Sequence, residues 1–513
     1  MRLPPGFCIR TIASGLLRPR QLALGPAGEI LVAESSPDWR PNRGRVSVLR
    51  PQSDGSFAHT VLLEHLDRPH GIAFRDGAIY VAESGRIIGA PYDGTDAPLH
   101  AATVVGGLPA TGLHVHRTLG IGPDGPLYYS VGAASNNCGA HDTTGVGEEP
   151  CAEAEGVARP AQADAGAPTV AGPVFQRGAL YRVDLARRRP WIFARGLRNN
   201  LGFAWHPATG RMWGVDNGRD YIQRIDARLL DAQLPHDELN ELLGERDYGW
   251  PYCYDDARAS PEYPARDAYC RRATRRPVLL PAHAAPISIL FYEGTLFPAR
   301  YRGRAVVTYH GYRANGHRVV TIPFGADGAP SGEPEDLISG WEERPGRPHG
   351  HALGLAVGLD GALFVTDDIA GAVYALAYGS SAAAPLAPAT PPLDLEASAV
   401  VEARCGQLSA RGGRFAEMER GVVDARCVLC HASAAGGLLL RRCDLEGNFA
   451  RLRQGTSPTY GPYVVPGHVD RGYLLARVRG DAMGPRMPPP GSNLDPGELE
   501  AIEAWVREGA VGP

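Results

Sequence analysis

Residues Cys427-Val428-Leu429-Cys430-His431 place two thiols three positions apart, with an imidazole directly behind the second. On one helical turn that spacing lets both sulfurs reach the vinyl groups of a haem, and the histidine turns in as proximal iron ligand. With nine Cys and sixteen His in 513 residues, about 0.005 such motifs are expected by chance. A zinc site would need a second thiol pair at short spacing, and Cys443 stands alone. The βαβ setting of a thioredoxin-like motif is missing as well. The sixth iron ligand is expected on a loop ahead of the last helix. Met487 fits, because Pro488, Pro489 and Pro490 hold the strap behind it extended, and Met483 is the competitor. A thioether there raises the reduction potential and suits electron acceptance.

The elements that must hold this group are helical. Phe415, Met418 and Val422 recur at helical spacing just ahead of Cys427. Asp495, Pro496 and Glu498 read as an N-cap, a first-turn proline and a capping-box partner, with Leu499, Ile502 and Val506 on one face and Gly509 as terminator. Residues 415–510 resemble the single-haem cytochrome c domains appended to bacterial exported enzymes, through the CxxCH, Val465-Pro466-Gly467, Met487-Pro488-Pro489 and Trp505-Val506-Arg507. Haem thioethers are made outside the cytoplasm, so a periplasmic or otherwise exported protein is expected. The opening Met1-Arg2-Leu3-Pro4-Pro5 has no apolar h-region and is not the signal such export needs. In an oxidising compartment the other cysteines pair by spacing: Cys138 with Cys151, Cys253 with Cys270, and more weakly Cys405 with Cys443, leaving Cys8 over.

Composition removes other classes. The chain is 44% hydrophobic and 21% charged, and no apolar run is long enough for a transmembrane segment. A net charge of -4 without a basic cluster argues against nucleic acid and anionic membrane surfaces. All 52 cationic residues are Arg. Any anionic ligand is therefore gripped by guanidinium forks.

The first 378 residues repeat one pattern six times: an apolar strand, a turn, and a second strand rich in Val, Ile and Tyr. The copies lie at residues 21–34, 71–83, 118–130, 202–214, 287–309 (the loosest) and 354–366. Asp-Gly and Pro-Xaa-Gly turns between alternating strands read as antiparallel hairpins. Six such units predict an all-β six-bladed β-propeller over residues 1–378. An Ala/Pro linker at 379–400 and a small all-α cytochrome c-like domain at 401–513 follow.

Polar residues gather beside the hairpin starts: His70, His114, His116, Arg117, Arg198, Asn199, Asp216, Asn217, Arg219, Asp220, His283, His310, Arg313 and Arg347. No GxGxxG opens a helix in this region, so nicotinamide and flavin are not expected. The phrases at 114–125, 196–207, 216–220, 237–251 and 282–292 resemble the quinoprotein glucose/sorbosone dehydrogenase family over nearly all of residues 6–378. The resemblance implies a six-bladed propeller holding pyrroloquinoline quinone (PQQ) and Ca²⁺ and oxidising sugars. It also implies His114 as general base, Arg198 and Asn199 as cofactor contacts, and Arg313 and Arg347 as cations on the cofactor's carboxylates. Asn217 by its side chain, with Gly218 and Arg219 by their carbonyls, would ligate Ca²⁺. Three departures stand out. Ala133 replaces an Asp that orients the base in some members, residues 139–175 form a long Gly/Ala/Glu insertion, and the spacing from Arg347 to Asp360 is long.

These residues imply a quinohaemoprotein dehydrogenase. It would oxidise a sugar, or a related polyol or aldehyde, through PQQ and pass electrons to haem c. A downstream cytochrome or respiratory oxidase would be its partner. Two other readings compete: a cofactor-free propeller acting as a carbohydrate- or partner-binding module, and a metal-dependent lactonase-type hydrolase.

Overall fold

The computed structural model describes residues 1–138, 149–155, 175–185, 187–274, 278–311, 313–344, 347–379, 405, 407–408, 411–427, 438, 440, 443–457, 461–479, 487 and 494–512. The chain divides into two compact units, one of residues 1–35 and 41–390, the other of residues 36–40 and 391–513. The expected linker at 379–400 lies outside the described residues except for Gly379.

In the first unit six sheets follow one another along the chain. The first blade is Pro19–Leu24, Ile30–Glu34, Gly44–Pro51 and Phe57–Leu66, paired in that order. The hairpins foreseen at 71–83, 118–130, 202–214, 287–309 and 354–366 each supply the first two strands of a further blade. Second strands such as Ile30–Glu34, Leu127–Val131 and Leu363–Asp367 are buried along their whole length. Their near-continuous apolar sequence follows from that, since neighbouring blades cover both faces. The hairpin turns repeat in detail. Gly28, Gly125 and Gly361 have φ of +82°, +102° and +86°, a region open to glycine. Each donates its N–H to the carbonyl three residues back. The sixth blade is completed by the N-terminus, Phe7–Ala13 pairing antiparallel with Ala372–Tyr378. Joining the two ends of the propeller in one sheet closes the ring and leaves no open edge between first and last blades.

The second unit has helices at Arg414–Met418, Leu445–Gln454, Tyr473–Arg479 and Pro496–Arg507, and the first runs on in π-helical form over Glu419–Cys427. Phe415, Met418, Val422, Leu452, Ile502, Trp505 and Val506 share one buried cluster. The last helix begins as its sequence demands: Asp495 accepts from the Glu498 N–H at 2.8 Å, and the Glu498 carboxylate accepts from the Asp495 N–H at 2.8 Å. All three cysteine pairs form disulfides, with Cα–Cα distances of 5.8, 5.5 and 5.0 Å. Cys8 is exposed and outside them.

Candidate functional site

The first two strands of each blade are antiparallel. The residues just before the first strand and just after the second therefore meet at one end of the propeller. Asn200 faces Asp216, Pro286 faces Tyr309 and Ala352 faces Asp367 in this way. Adjacent blades are stitched there by backbone bonds: Gln21 N–H to His70 C=O, Gly71 N–H to Arg117 C=O, and Ala133 N–H to Arg198 C=O. The chemistry-bearing residues of the hairpin starts are thus gathered into one ring.

On blades three to five the ring is densely bonded. Arg198 is buried. Its Nε donates to the Asn136 carbonyl at 2.7 Å and its Nη2 to Asn136 Oδ1 at 2.8 Å. Its Nη1 donates to the carbonyls of Asn217 at 3.3 Å and Gly218 at 2.8 Å. Asn199 Nδ2 donates to Asn217 Oδ1 at 3.0 Å, and Asn217 Nδ2 donates to the Pro286 carbonyl at 2.8 Å. Asp220 receives His283 at 3.3 Å, Arg313 at 3.6 Å and Arg198 at 3.7 Å. Burial alone would raise its carboxyl pKa. His283 and the two guanidiniums outweigh burial and hold it well below the usual carboxylate range. Arg219 is buried in an ion pair with Glu262.

Below this layer, two carboxylates pin the backbone. Asp216 accepts the N–H groups of Arg198 at 2.9 Å and Asn199 at 2.7 Å. Asp237 accepts those of Gly218 and Ala285, each at 2.7 Å. Burial pushes both carboxyls up to about 7, helped at Asp216 by Glu238.

His114 Nδ1 lies 2.8 Å from the Ala133 carbonyl. A carbonyl only accepts, so Nδ1 carries the hydrogen and Nε2 keeps the lone pair. The backbone of Ala133 thus supplies the orienting bond that its side chain cannot. Burial and the neighbouring Arg198 push the His114 pKa down to about 3, so the ring is neutral near pH 7.

The opposite side of the ring has a different character. Asp368 receives Arg20 at 2.8 Å, His310 at 3.0 Å and Arg18 at 3.7 Å. The His310 and His351 rings lie 4.7 Å apart, and those of His70 and His116 5.2 Å apart. His310, His351 and Asp368 bring three ligand-type atoms within 4.8 Å of one another. The two guanidiniums on the same carboxylate oppose a cation at that point. Arg18, Arg20, Asp368 and His351 were not among the expected site residues. Their signal is positional: Arg20 directly precedes the first repeat copy, and Asp368 closely follows the sixth.

Arg347 pairs through its backbone with Arg344, and its side chain lies outside the described set. So do residues 139–148 and 156–174 of the insertion, and Cys430, His431 and Met483. Cys427 and Met487 are half-buried, and the Met487 N–H donates to the Arg477 carbonyl at 2.9 Å.

Residues 1–148 and 184–379 match the family model described as TrAA12-like, which is more than half of the chain. The chain belongs to the TrAA12-like family. A Hypocrea jecorina protein named pyrroloquinoline quinone-dependent sugar dehydrogenase is 26% identical over 367 residues, 64% of this chain and 76% of that one. An uncharacterized protein of Borreliella burgdorferi is 24% identical over 211 residues, 40% of this chain. The chain spans about half of that relative's length, 54%. Among solved structures, the iodide structure of the Trichoderma reesei family AA12 carbohydrate-active enzyme is similar at a TM-score of 0.59 and 21% identity, covering 74% of this chain and 97% of that one. The holo form of the pyranose dehydrogenase PQQ domain from Coprinopsis cinerea gives 0.56 and 18%, covering 73% and 96%. These likenesses establish the six-bladed fold of the TrAA12-like unit. The family match ends at residue 379.

Proposed function

We propose that this TrAA12-like protein is an exported quinohaemoprotein that oxidises a sugar, or a related polyol or aldehyde, with PQQ and hands the electrons to a covalent haem c. One observation carries the quinone part. Among the described residues, Arg18 and Arg20 gather on Asp368, and Arg198 and Arg313 on Asp220. Buried polar atoms around the ring lack a hydrogen-bond partner among the described residues: both ring nitrogens of His70, Asn199 Oδ1, His283 Nε2 and His351 Nδ1. Buried polar groups are rarely left so. A guanidinium-rich ring with idle donors and acceptors fits a polyanionic, carbonyl-rich group such as the tricarboxylate PQQ.

When bound, PQQ supplies the hydride-accepting quinone. The chain's own residues do the rest. The free Nε2 of His114 takes the hydroxyl proton of the substrate. Arg313, with Arg347, balances the cofactor's carboxylates, and Arg198 and Asn199 contact the cofactor. Asn217 Oδ1 and the Gly218 and Arg219 carbonyls offer Ca²⁺ hard oxygens. The first two already accept an N–H each. An oxygen of this kind keeps a second lone pair for an ion, but the N–H on Gly218 is that of the Arg198 guanidinium, whose charge an ion there would have to displace or outweigh.

The haem part rests on the sequence motif. Cys427 and Cys430 would form the thioethers, with His431 and Met487 on the iron. A downstream cytochrome or respiratory oxidase would collect the electrons. A lactonase reading is disfavoured, because both carboxylates at the ring are already paired with guanidiniums. The deciding experiment adds PQQ and Ca²⁺ to purified haem-loaded protein and follows sugar-driven haem reduction at the α-band. Reduction by at least one sugar is expected. A haem that only dithionite reduces, in a protein that binds sugar, would favour the binding-module reading.

A further inference from the structure

The turn at 217–220 carries the oxygen donors named above, yet it belongs to no strand or helix. What holds it in shape comes from another blade. Asn136 follows the second strand of the third blade and is buried. Its Oδ1 accepts from Arg198 Nη2 at 2.8 Å and from the Asp220 N–H at 2.8 Å. Its Nδ2 donates to the Asp220 carbonyl at 2.8 Å, and its own carbonyl accepts from Arg198 Nε at 2.7 Å. Arg198 in turn holds the carbonyls of Asn217 and Gly218. Both ends of the turn are therefore fixed through one amide, directly at Asp220 and through the guanidinium at 217–218.

The residue type matches the task. The guanidinium and the Asp220 N–H need an acceptor, while the Asp220 carbonyl needs a donor. Only an amide of this length offers both in one plane. Asn136 is itself anchored. The N–H groups of Ala134 and Ser135 and the Ser135 hydroxyl all bond the Glu153 carboxylate. Two residues on, Cys138 is tied to Cys151, whose N–H donates to the Tyr252 hydroxyl at 2.8 Å.

We propose that Asn136 is a positioning residue that fixes Arg198 and the 217–220 turn in the geometry that receives the cofactor. The effect on PQQ rests on the quinoprotein reading, but the effect on the turn does not. The test therefore reads both in purified protein. Hydrogen exchange at the 217–220 amides is measured without cofactor, and PQQ affinity is measured by calorimetry in the presence of Ca²⁺.

Asn136→Ala should speed exchange at 217–220 while amides in the second blade keep their rates. It should also weaken PQQ roughly 10–100-fold, with the sugar KM at saturating PQQ unchanged. Asn136→Asp keeps an acceptor for Arg198 and for the Asp220 N–H but faces the Asp220 carbonyl with a second acceptor, so it should fall in between. It also carries the test if the alanine variant does not fold. Unchanged exchange at 217–220 overturns the positioning role. Faster exchange with wild-type PQQ affinity overturns its link to the cofactor. If the wild type binds no PQQ while exchange still responds, the quinoprotein reading fails and the clamp stands.

Discussion

The two sides of the ring at this end of the propeller are built on different plans. Around Arg198 the guanidinium, both amides and the turn carbonyls bond to one another, and two buried carboxylates pin the backbone beneath. The idle atoms there, among the described residues, are single ones, Asn199 Oδ1 and His283 Nε2. Around Asp368, charges pair but imidazoles are left over: among the described residues His70 has no more than a weak approach to the Arg117 backbone, and His351 has no partner at Nδ1. A side cross-linked this densely is rigid before anything binds, which is what precise placement of a reacting group requires. A side with idle buried donors gains most from a ligand, because each desolvated polar group is costly until it is paired. The difference separates a face that places chemistry from a face that grips.

The strongest way to break this comparison is at His114, which belongs to the placing side. Removing a general base should lower the rate of sugar-driven haem reduction about 10²–10⁴-fold. Stopped-flow on His114→Ala loaded with PQQ and Ca²⁺ checks this, with quinone content and dithionite reduction unchanged. The low pKa of about 3 adds a sign. The imidazole stays unprotonated as pH falls from 8 to 5, so the acid limb of kcat/KM should lie well below pH 6.5. If His114→Ala keeps its rate while His116→Ala loses it, the base lies beside His70, on the other side of the ring.

The next effect concerns what braces the placing side. Removing the Cys138–Cys151 bridge by double substitution to Ser should cost about 3 kcal/mol of stability, a value that depends on the chain-entropy picture. The loss should be felt at Asn136 and Arg198, close to the bridge, and not at Arg20. Urea unfolding together with PQQ titration reads both. Equal stability with and without the bridge would remove it from the argument.

The gripping side is tested by charge. Arg20→Ala should weaken PQQ by about 1.5–3 kcal/mol, the worth of one charge-assisted contact. Arg313→Ala, on the Asp220 side of the ring, should weaken it by a similar amount through the cofactor's charge. Arg20→Ala should leave sugar-driven turnover at saturating PQQ near wild type, whereas a placing residue would not. A tenfold fall in turnover at saturation would erase the distinction between the two sides.

Much of this was legible in the sequence, for particular physical reasons. The hairpins were visible because Gly28, Gly125 and Gly361 mark turns that only positive φ can make. The last helix was visible because Asp495, Pro496 and Glu498 are local signals acting over three residues. The disulfides followed from spacing, including the weaker pair Cys405 and Cys443. The closure of the ring by Phe7–Ala13 was not legible. Strand pairing across some 360 residues leaves no mark in local pattern. Arg20 and Asp368 were missed for a related reason: they come together from the first and last blades, and neither sits in a motif. Arg198 was found by its motif, but its bonds to Asn136 and the 217–220 carbonyls depend on three separate segments meeting. The charge balance of the ring could only be read once the blades had been assembled.

The smallest effect tests whether the idle imidazoles are a burden in the empty protein. His70 is fully buried, and its pKa is held well below the ordinary value. Burial is the main cause, with Arg20 and His310 adding to it, and Asp368 and the Arg117 backbone opposing. A histidine with a depressed folded pKa binds fewer protons folded than unfolded. Its contribution to stability is therefore present above the unfolded value near 6.5 and is lost as pH falls below it. The slope for one such group is at most about 1.4 kcal/mol per pH unit. His116 and His351 are shifted in the same direction, so the wild-type slope contains their shares too. The measurement is therefore a difference: urea unfolding at pH 7, 6 and 5 for wild type and His70→Gln, without cofactor. The variant should lose stability more slowly on acidification, by about one group's worth. Parallel slopes would mean that His70 is solvated or already paired, and the contrast between a finished and an unfinished side of the ring would lose its clearest witness.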